Sequence, residues 1–165
     1  FALRNPRKSA LAGFVACEIH QVIVGAARRP GELESAPIVN PVEGDLRIAA
    51  GTAVCFQFTN GSAKPLYLHA FYFGYDGSIT PIYPKMAGER VAVEPARSVK
   101  SSGFRLKFAA AESPRVAEVR EGVKLFASVM PCDLDSFGKD GGHRALKLEI
   151  PDDWTTVERT FLLVR

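Results

Sequence analysis

The residue types that could carry catalysis in this chain are three cysteines and three histidines, and their spacing matches no catalytic or metal-binding pattern. The cysteines are Cys17, Cys55 and Cys132, and no CxxC pair occurs. A structural zinc site needs closely spaced ligands, and a disulfide framework needs an even number of cysteines. The sequence therefore predicts free thiols in a reducing compartment, which we expect to be the cytoplasm.

One pairing of these residues could support nucleophilic catalysis. Cys132 and His143 are candidates because a thiolate needs a nearby base, and their order in the chain does not prevent contact. No sequence signature accompanies the pair, so a cysteine-dependent enzyme stays an alternative. His69 alternates with aromatic residues along an apolar segment. This pattern favours a hydrogen-bonded histidine within a sheet over a metal ligand.

Motifs that hold phosphates, nucleotides or metals do not occur in the sequence. The Walker A, HExxH, GxSxG and EF-hand patterns are all missing. The glycine-rich segment 138–144 could surround an anion with backbone N–H groups, but a surface loop is the favoured interpretation. We therefore predict no catalytic residue, no metal and no cofactor, and the Cys132 enzyme is the open alternative.

The length and composition of the chain are typical of a single globular domain. The chain has 165 residues, 47% of them hydrophobic, and a net charge of +3. This length is enough for one sizeable core. The basic residues are dispersed, which argues against a nucleic-acid partner, and no apolar run is long enough to span a bilayer. Because Phe1 is not an initiator methionine, we expect a fragment or a processed piece of a longer protein.

Short apolar segments separated by turn signals predict an all-β fold, an antiparallel β-sandwich of immunoglobulin-like or jelly-roll-like type. Residues 54–84 predict two consecutive hairpins, which turn at Asn60-Gly61 and at Asp76-Gly77. The strands after these turns are predicted at 66–73 and 79–83. Pro81 predicts an edge strand or a bulge, because proline cannot donate to the ladder. Further strands are predicted at 90–93, 104–108, 123–130, 145–150 and 157–164.

A proline-rich connection at 25–44 divides the chain. Residues 1–43 are predicted to be a short N-terminal extension or linker with one strand at 14–24, and residues 44–165 to be the sandwich domain. A short amphipathic helix is the alternative for 14–24. A second short helix, interrupted by proline, is an alternative for 109–119.

Aromatic residues supply the candidate interaction surface. Alternation places Tyr67, Phe71 and Phe73 on one face of a strand and Tyr72 on the other. Core packing is one interpretation, whereas an exposed patch would imply a partner. Trp154 could stack on a sugar or close the end of the sandwich. The candidate interaction residues are Tyr67, Phe71, Phe73, Tyr75 and Trp154.

Several short motifs follow one another in a recognisable order. In chain order they are Phe58-Thr59-Asn60, Leu66-Tyr67, Phe71-Tyr72-Phe73, Asp76-Gly77-Ser78-Ile79, Ile82-Tyr83-Pro84, Gly122-Val123-Lys124-Leu125-Phe126-Ala127-Ser128 and Pro131-Cys132-Asp133-Leu134. Their succession over residues 44–165 resembles the C-terminal β-sandwich domain that follows caspase-like (metacaspase-type) cysteine peptidase domains.

The resemblance implies a partner rather than a reaction. The peptidase part of such proteins has His-Gly and Asp-x-Cys motifs, and this chain has neither, so no catalytic residue carries over. The expected role is that of a noncatalytic accessory domain, which regulates a caspase-like peptidase domain in the same or a neighbouring chain, or recruits another protein. A carbohydrate- or ligand-binding sandwich that uses Trp154 and exposed tyrosines is the alternative binding function.

Overall fold

The structure is a computed structural model that describes residues 9–23, 33–39, 41–86, 88–108, 116–132, 134 and 153–165. Within these residues all regular structure is β-strand. No helix among them has the length and hydrophobicity that crossing a bilayer requires. The strands are β1 (Val15–Val22), β2 (Ser35–Pro37), β3 (Arg47–Ala49), β4 (Ala53–Asn60), β5 (Leu66–Phe73), β6 (Ile79–Tyr83), β7 (Ala92–Val93), β8 (Arg97–Lys100), β9 (Phe104–Arg105), β10 (Glu118–Ser128) and β11 (Trp154–Val164).

These strands form two open sheets. The first has the order β2-β1-β4-β8, and β9 also pairs with β4. The second has the order β3-β11-β10-β5-β6, and β7 also pairs with β5. The pairings are antiparallel except that of β11 with β3, which is parallel. The predicted all-β, antiparallel sandwich is confirmed.

The core lies between the sheets and follows from period-two alternation. In β4, Val54, Phe56 and Phe58 face the second sheet and are fully buried. Leu125 in β10 and Phe161 in β11 meet them from the opposite side. Each such side chain contributes about 1.5–3 kcal/mol by leaving water, so this layer dominates the stability of the fold.

The first predicted hairpin is wrong, because β4 and β5 belong to different sheets. The connection 61–65 crosses between the sheets, since both strands direct their apolar faces at the same core. The buried Asn60 side chain holds this crossing. Its Nδ2 donates to the carbonyls of Lys64 and Val93, both at 2.8 Å, and its Oδ1 accepts from the backbone and hydroxyl of Ser62.

The second predicted hairpin is confirmed with the predicted strand bounds. β5 and β6 pair antiparallel across a turn in which Gly77 has a φ of 82°, a conformation that favours glycine. β6 is the edge of the second sheet, and the register shifts between Ala70 and Phe71, opposite Pro81. Both consequences predicted from Pro81, the edge position and the bulge, are therefore observed.

The other predictions meet mixed outcomes. The strand at 14–24 is observed as β1, in place of the alternative helix, and it pairs along its length with β4. The strand at 123–130 begins earlier, at Glu118, and the one at 157–164 begins at Trp154. The strands β2, β3 and β8 were not predicted, because they are three or four residues long and largely exposed. The predicted strand at 145–150 lies outside the described residues.

Candidate functional site

The predicted aromatic surface is mostly a closed cluster on the outer face of the second sheet. Phe71 is 5% exposed and Trp154 is 6% exposed, and both pack with Phe126, Cys132 and Leu134. We call these five residues the outer cluster. The rings of Phe126 and Trp154 stack with centroids 5.1 Å apart. The indole of Trp154 therefore offers no open platform on which a sugar could stack.

The other residues of the predicted interaction surface lie in two different places. Phe73 is half-buried and packs against the outer cluster. Tyr67 is also half-buried and, by alternation along β5, lies on the same face. Tyr75 is half-buried and lines a groove at another part of the molecule. The structure therefore brings Phe71, Phe73 and Trp154 together and leaves Tyr75 apart from them.

The predicted thiol chemistry would need an accessible cysteine that can ionise. All three cysteines are buried, and none forms a disulfide. Burial raises the pKa of the Cys17 thiol to about 12; the positive charge of Arg159 opposes this shift and the negative charge of Glu18 adds to it, so the thiol is unreactive at neutral pH. Cys132 lies 3.8 Å from the hydroxyl of Ser128, and its predicted base His143 lies outside the described residues. The described ranges contain no cluster of three metal-ligating side chains.

A polar row crosses the outer face of the first sheet. The imidazole Nε2 of His20 lies 3.5 Å from Glu18, and its Nδ1 lies 3.4 Å from the hydroxyl of Ser35. Lys100 donates to the same hydroxyl at 2.9 Å. His20 is buried directly opposite Cys55 in the register of β1 and β4. Both distances to the imidazole exceed those of strong hydrogen bonds. The row ends in the carboxylate of Glu18 and the ammonium of Lys100, which have opposite charges. We therefore interpret the row as surface polar contacts rather than as a site.

The groove that contains Tyr75 is the better candidate site. It opens between the edge strand β6 and the segment 104–108, and its volume is about 460 Å³. Sites for small molecules and side chains commonly have volumes of about 300–1,000 Å³. Its lining is mainly apolar. The lining residues are Tyr72, Gly74, Tyr75, Asp76, Ser78, Thr80, Ile82, Phe104, Arg105, Leu106, Lys107, Phe108 and Glu121.

The walls of the groove are aromatic and are fixed by the core behind them. The rings of Tyr72 and Phe104 lie edge to face, with centroids 5.2 Å apart and planes at 82°. The fully buried Phe56 packs behind Phe104 at 5.9 Å. Leu106 anchors the segment in the core, and Phe108 is half-buried at its end. Alternation therefore places the rings at the mouth of the sandwich, where one side of each stays open.

The floor of the groove carries a carboxylate. Glu121 is 5% exposed and occupies an inward-facing position of β10, two residues from the fully buried Val123. The hydroxyl of Tyr72 donates to Glu121 Oε2. Burial first, and then this hydrogen bond, raise the pKa of Tyr72 far above its ordinary value. Tyr72 is therefore a neutral donor over the whole physiological pH range.

The charged side chains at the rim of the groove lie in different surroundings. Asp76 is exposed, and hydrogen bonds from Ser78 lower the pKa of its carboxyl, with the backbone N–H of Ser78 at 2.9 Å. Arg105 donates to the carbonyl of Gly51 at 3.0 Å, which directs its guanidinium toward the turn after β3. Lys107 is exposed to water. The charge that is best shielded from water is therefore the carboxylate at the floor.

A smaller hollow, of about 180 Å³, lies beside Gly122. Lys124 and Glu158 line it and pair with each other at 3.3 Å. Arg120 lines the same hollow and pairs with Asp45 at 2.8 Å. Because these charges neutralise one another and the volume is small, the larger groove is the stronger candidate.

Comparisons with protein-family models, with curated proteins and with solved structures give no match. The functional argument therefore depends on the site itself. Of the groove residues, sequence reasoning selected Tyr75 and missed Tyr72, Phe104 and Glu121. The signal that could have found them is the carboxylate of Glu121, which occupies a core-facing position in the alternation of β10.

Proposed function

We propose that this chain is a noncatalytic accessory domain that binds a protein partner through the groove. The observation that carries the proposal is an open, mainly apolar groove of about 460 Å³ whose aromatic walls are already packed on the core. A preformed site loses little conformational entropy on binding, which favours recognition of an incoming side chain.

The occupant is one side chain of a short extended segment of the partner. The edge strand β6 borders the groove, but Pro81 lies at its centre and removes a backbone donor. Proline on an edge strand opposes the addition of a further strand. We therefore place the contact in the side chains of the groove rather than in a backbone ladder.

The partner we propose is a caspase-like peptidase domain, as the motif order in residues 44–165 implies. The complex would form in the cytoplasm. Support for a reducing compartment comes from the three cysteines, which are buried and form no disulfide. The carbohydrate alternative used Trp154, whose ring is buried against Phe126, so we do not propose it.

Binding of the chain to the peptidase domain encoded in its own reading frame, or next to it, tests the proposal. Calorimetry measures the dissociation constant for the wild type and for Thr80→Trp, in which an exposed groove residue becomes a bulky one. Val91→Trp is the matched control, because Val91 is 58% exposed and lies outside the groove lining.

We expect binding by the wild type and by Val91→Trp, and a loss of at least about ten-fold in affinity for Thr80→Trp, since ten-fold corresponds to about 1.4 kcal/mol. Equal affinities of the two tryptophan variants would overturn the groove as the binding site. A chain that neither binds the peptidase domain nor changes its activity would overturn the partner, and so would the absence of any such reading frame.

A further inference from the structure

The crossing between the two sheets begins with the dipeptide Asn60-Gly61, a sequence that favours loss of the asparagine amide. Asparagine is chemically labile, and glycine places no side chain beside the backbone nitrogen that attacks the carboxamide. The other asparagines of the chain, Asn5 and Asn40, each precede a proline, which has no backbone N–H to lose. Deamidation through the following backbone nitrogen is therefore expected only at Asn60.

The fold needs both residues of this dipeptide. The Asn60 side chain is fully buried, and its four hydrogen bonds hold the crossing. A Cβ at position 61 would lie 3.0 Å from the carbonyl oxygen of Phe14, so Gly61 permits a close approach of two backbones. The labile dipeptide thus stands where each of its residues has a structural role.

The native contacts restrain both reacting groups. The backbone N–H of Gly61 donates to the carbonyl of Phe14 at 2.7 Å, and the backbone carbonyl of Asn60 accepts from Ala96 at 2.8 Å. The peptide group between the two residues is therefore fixed on both sides. The Asn60 amide nitrogen donates to two backbone carbonyls, both at 2.8 Å. Because Gly61 is exposed to water, hydrogen bonding rather than burial restrains its nitrogen.

We infer that Asn60-Gly61 is a modification site, at which deamidation proceeds only after the crossing opens and then prevents the crossing from closing. The Gly61 nitrogen forms a bond to Cγ of Asn60, and the bond from Cγ to Nδ2 breaks. The proton of the Gly61 nitrogen passes to the departing amide, which leaves as ammonia. Water then opens the cyclic imide to aspartate or isoaspartate. This inference is independent of the groove and of its partner.

The product does not fit the native crossing. An aspartate at position 60 has no amide N–H, so the carbonyls of Lys64 and Val93 would face a carboxylate oxygen in place of their donor at 2.8 Å. Isoaspartate adds one carbon to the backbone and displaces the side group. A buried charge beside two acceptors is costly, since nothing there compensates it. Opening of the crossing therefore becomes irreversible once deamidation has occurred.

Peptide mass spectrometry of the full chain tests the protection. Deamidation changes the mass of the peptide that contains residue 60, and its rate is measured at mildly alkaline pH in native buffer and in urea that unfolds the chain. We expect the rate in native buffer to be at least about ten-fold lower, because the reaction follows the population of the open state.

One variant loosens the crossing and leaves the dipeptide intact. Ser62→Ala removes the hydroxyl that donates to Oδ1 of Asn60 at 2.7 Å, and it should raise the rate in native buffer at least about three-fold. Ser98→Ala is the matched control, because its exposed hydroxyl bonds Thr59, the residue before Asn60. The control should deamidate at the rate of the wild type.

A second variant represents the product. Asn60→Asp should unfold at a lower urea concentration than Ser62→Ala, or fail to fold where Ser62→Ala folds. Equal rates of deamidation in native buffer and in urea would overturn the inference, and this comparison needs no variant. A rate in folded Ser62→Ala no higher than in Ser98→Ala would also overturn it, as would an Asn60→Asp chain as stable as the wild type.

Discussion

The two faces of β5 carry aromatic residues of similar type, but the residues compared on them differ in burial. Phe71, on the outer face, is 5% exposed within the outer cluster. Its neighbour Tyr72, on the inner face, is half-buried and borders the groove together with Glu121. Aromatic content alone therefore does not identify a binding surface. The distinguishing features are the open end of the sandwich and the acidic side chain that lies there.

The largest expected difference between the two regions concerns stability. Phe126 is 1% exposed and stacked on Trp154, so Phe126→Ala should lower the free energy of unfolding by about 3–5 kcal/mol. Phe104 is half-buried with one side open to the groove, and Phe104→Ala should cost about 1–2 kcal/mol. Urea denaturation measures both values.

For binding, we expect the larger loss in Phe104→Ala and the smaller loss in Phe126→Ala, which is the opposite of the order for stability. Phe104→Ala removes a groove wall and should weaken binding of the peptidase domain, whereas folded Phe126→Ala should bind this domain as the wild type does. Equal losses of stability for the two variants would mean that the groove walls are ordinary core, and the comparison between the two faces would fail.

The hydrogen bond at the groove floor should have an intermediate effect. Tyr72→Phe removes a donor from the buried carboxylate of Glu121 and should lower the free energy of unfolding by about 1–3 kcal/mol. Tyr83→Phe is the matched control, because the Tyr83 ring packs on Phe58 and its hydroxyl makes no hydrogen bond within the described residues. A smaller loss in Tyr72→Phe than in Tyr83→Phe would contradict the assigned role of Tyr72.

Alkaline pH probes the same hydroxyl through its ionisation. Folding raises the pKa of Tyr72 above its ordinary value of 10.0, so the neutral phenol stabilises the fold below pH 10 and this stabilisation is lost as pH rises further. Above pH 10 the free energy of unfolding should fall more steeply in the wild type than in Tyr72→Phe, by up to about 1.4 kcal/mol per pH unit.

The alkaline comparison has an internal reference. Burial raises the pKa of Cys17 from 9.0 to about 12, so its contribution to stability is lost between these pH values in both proteins and cancels in the difference. Parallel pH profiles for the wild type and Tyr72→Phe from pH 10 to pH 12 would show that the phenol is not held in the buried, hydrogen-bonded state.

Local pattern was enough to predict much of the fold. Period-two alternation and the Asp76-Gly77 turn gave the bounds of β5 and β6, and Pro81 gave the edge. The connection after Asn60 was not predictable in the same way. A polar turn before an apolar run suits both a hairpin and a crossing between sheets, and only the packing of both faces on one core decides between them.

The site was less predictable, because it depends on contacts between distant parts of the chain. The outer face of β5 is buried by Cys132, Leu134 and Trp154, which come from sequence positions more than 50 residues away. The groove forms where Phe104 approaches Tyr72 across the two sheets. Alternation assigns a residue to a face, but it does not show which face is covered.

The most direct test of the central claim is a map of where the peptidase domain contacts the ¹⁵N-labelled chain. Chemical-shift changes on addition of this partner should concentrate in 79–83 and 104–108, and the indole N–H of Trp154, the single tryptophan, should stay unchanged. Changes centred instead on Trp154 and the outer face of β5, with silent groove residues, would contradict the account.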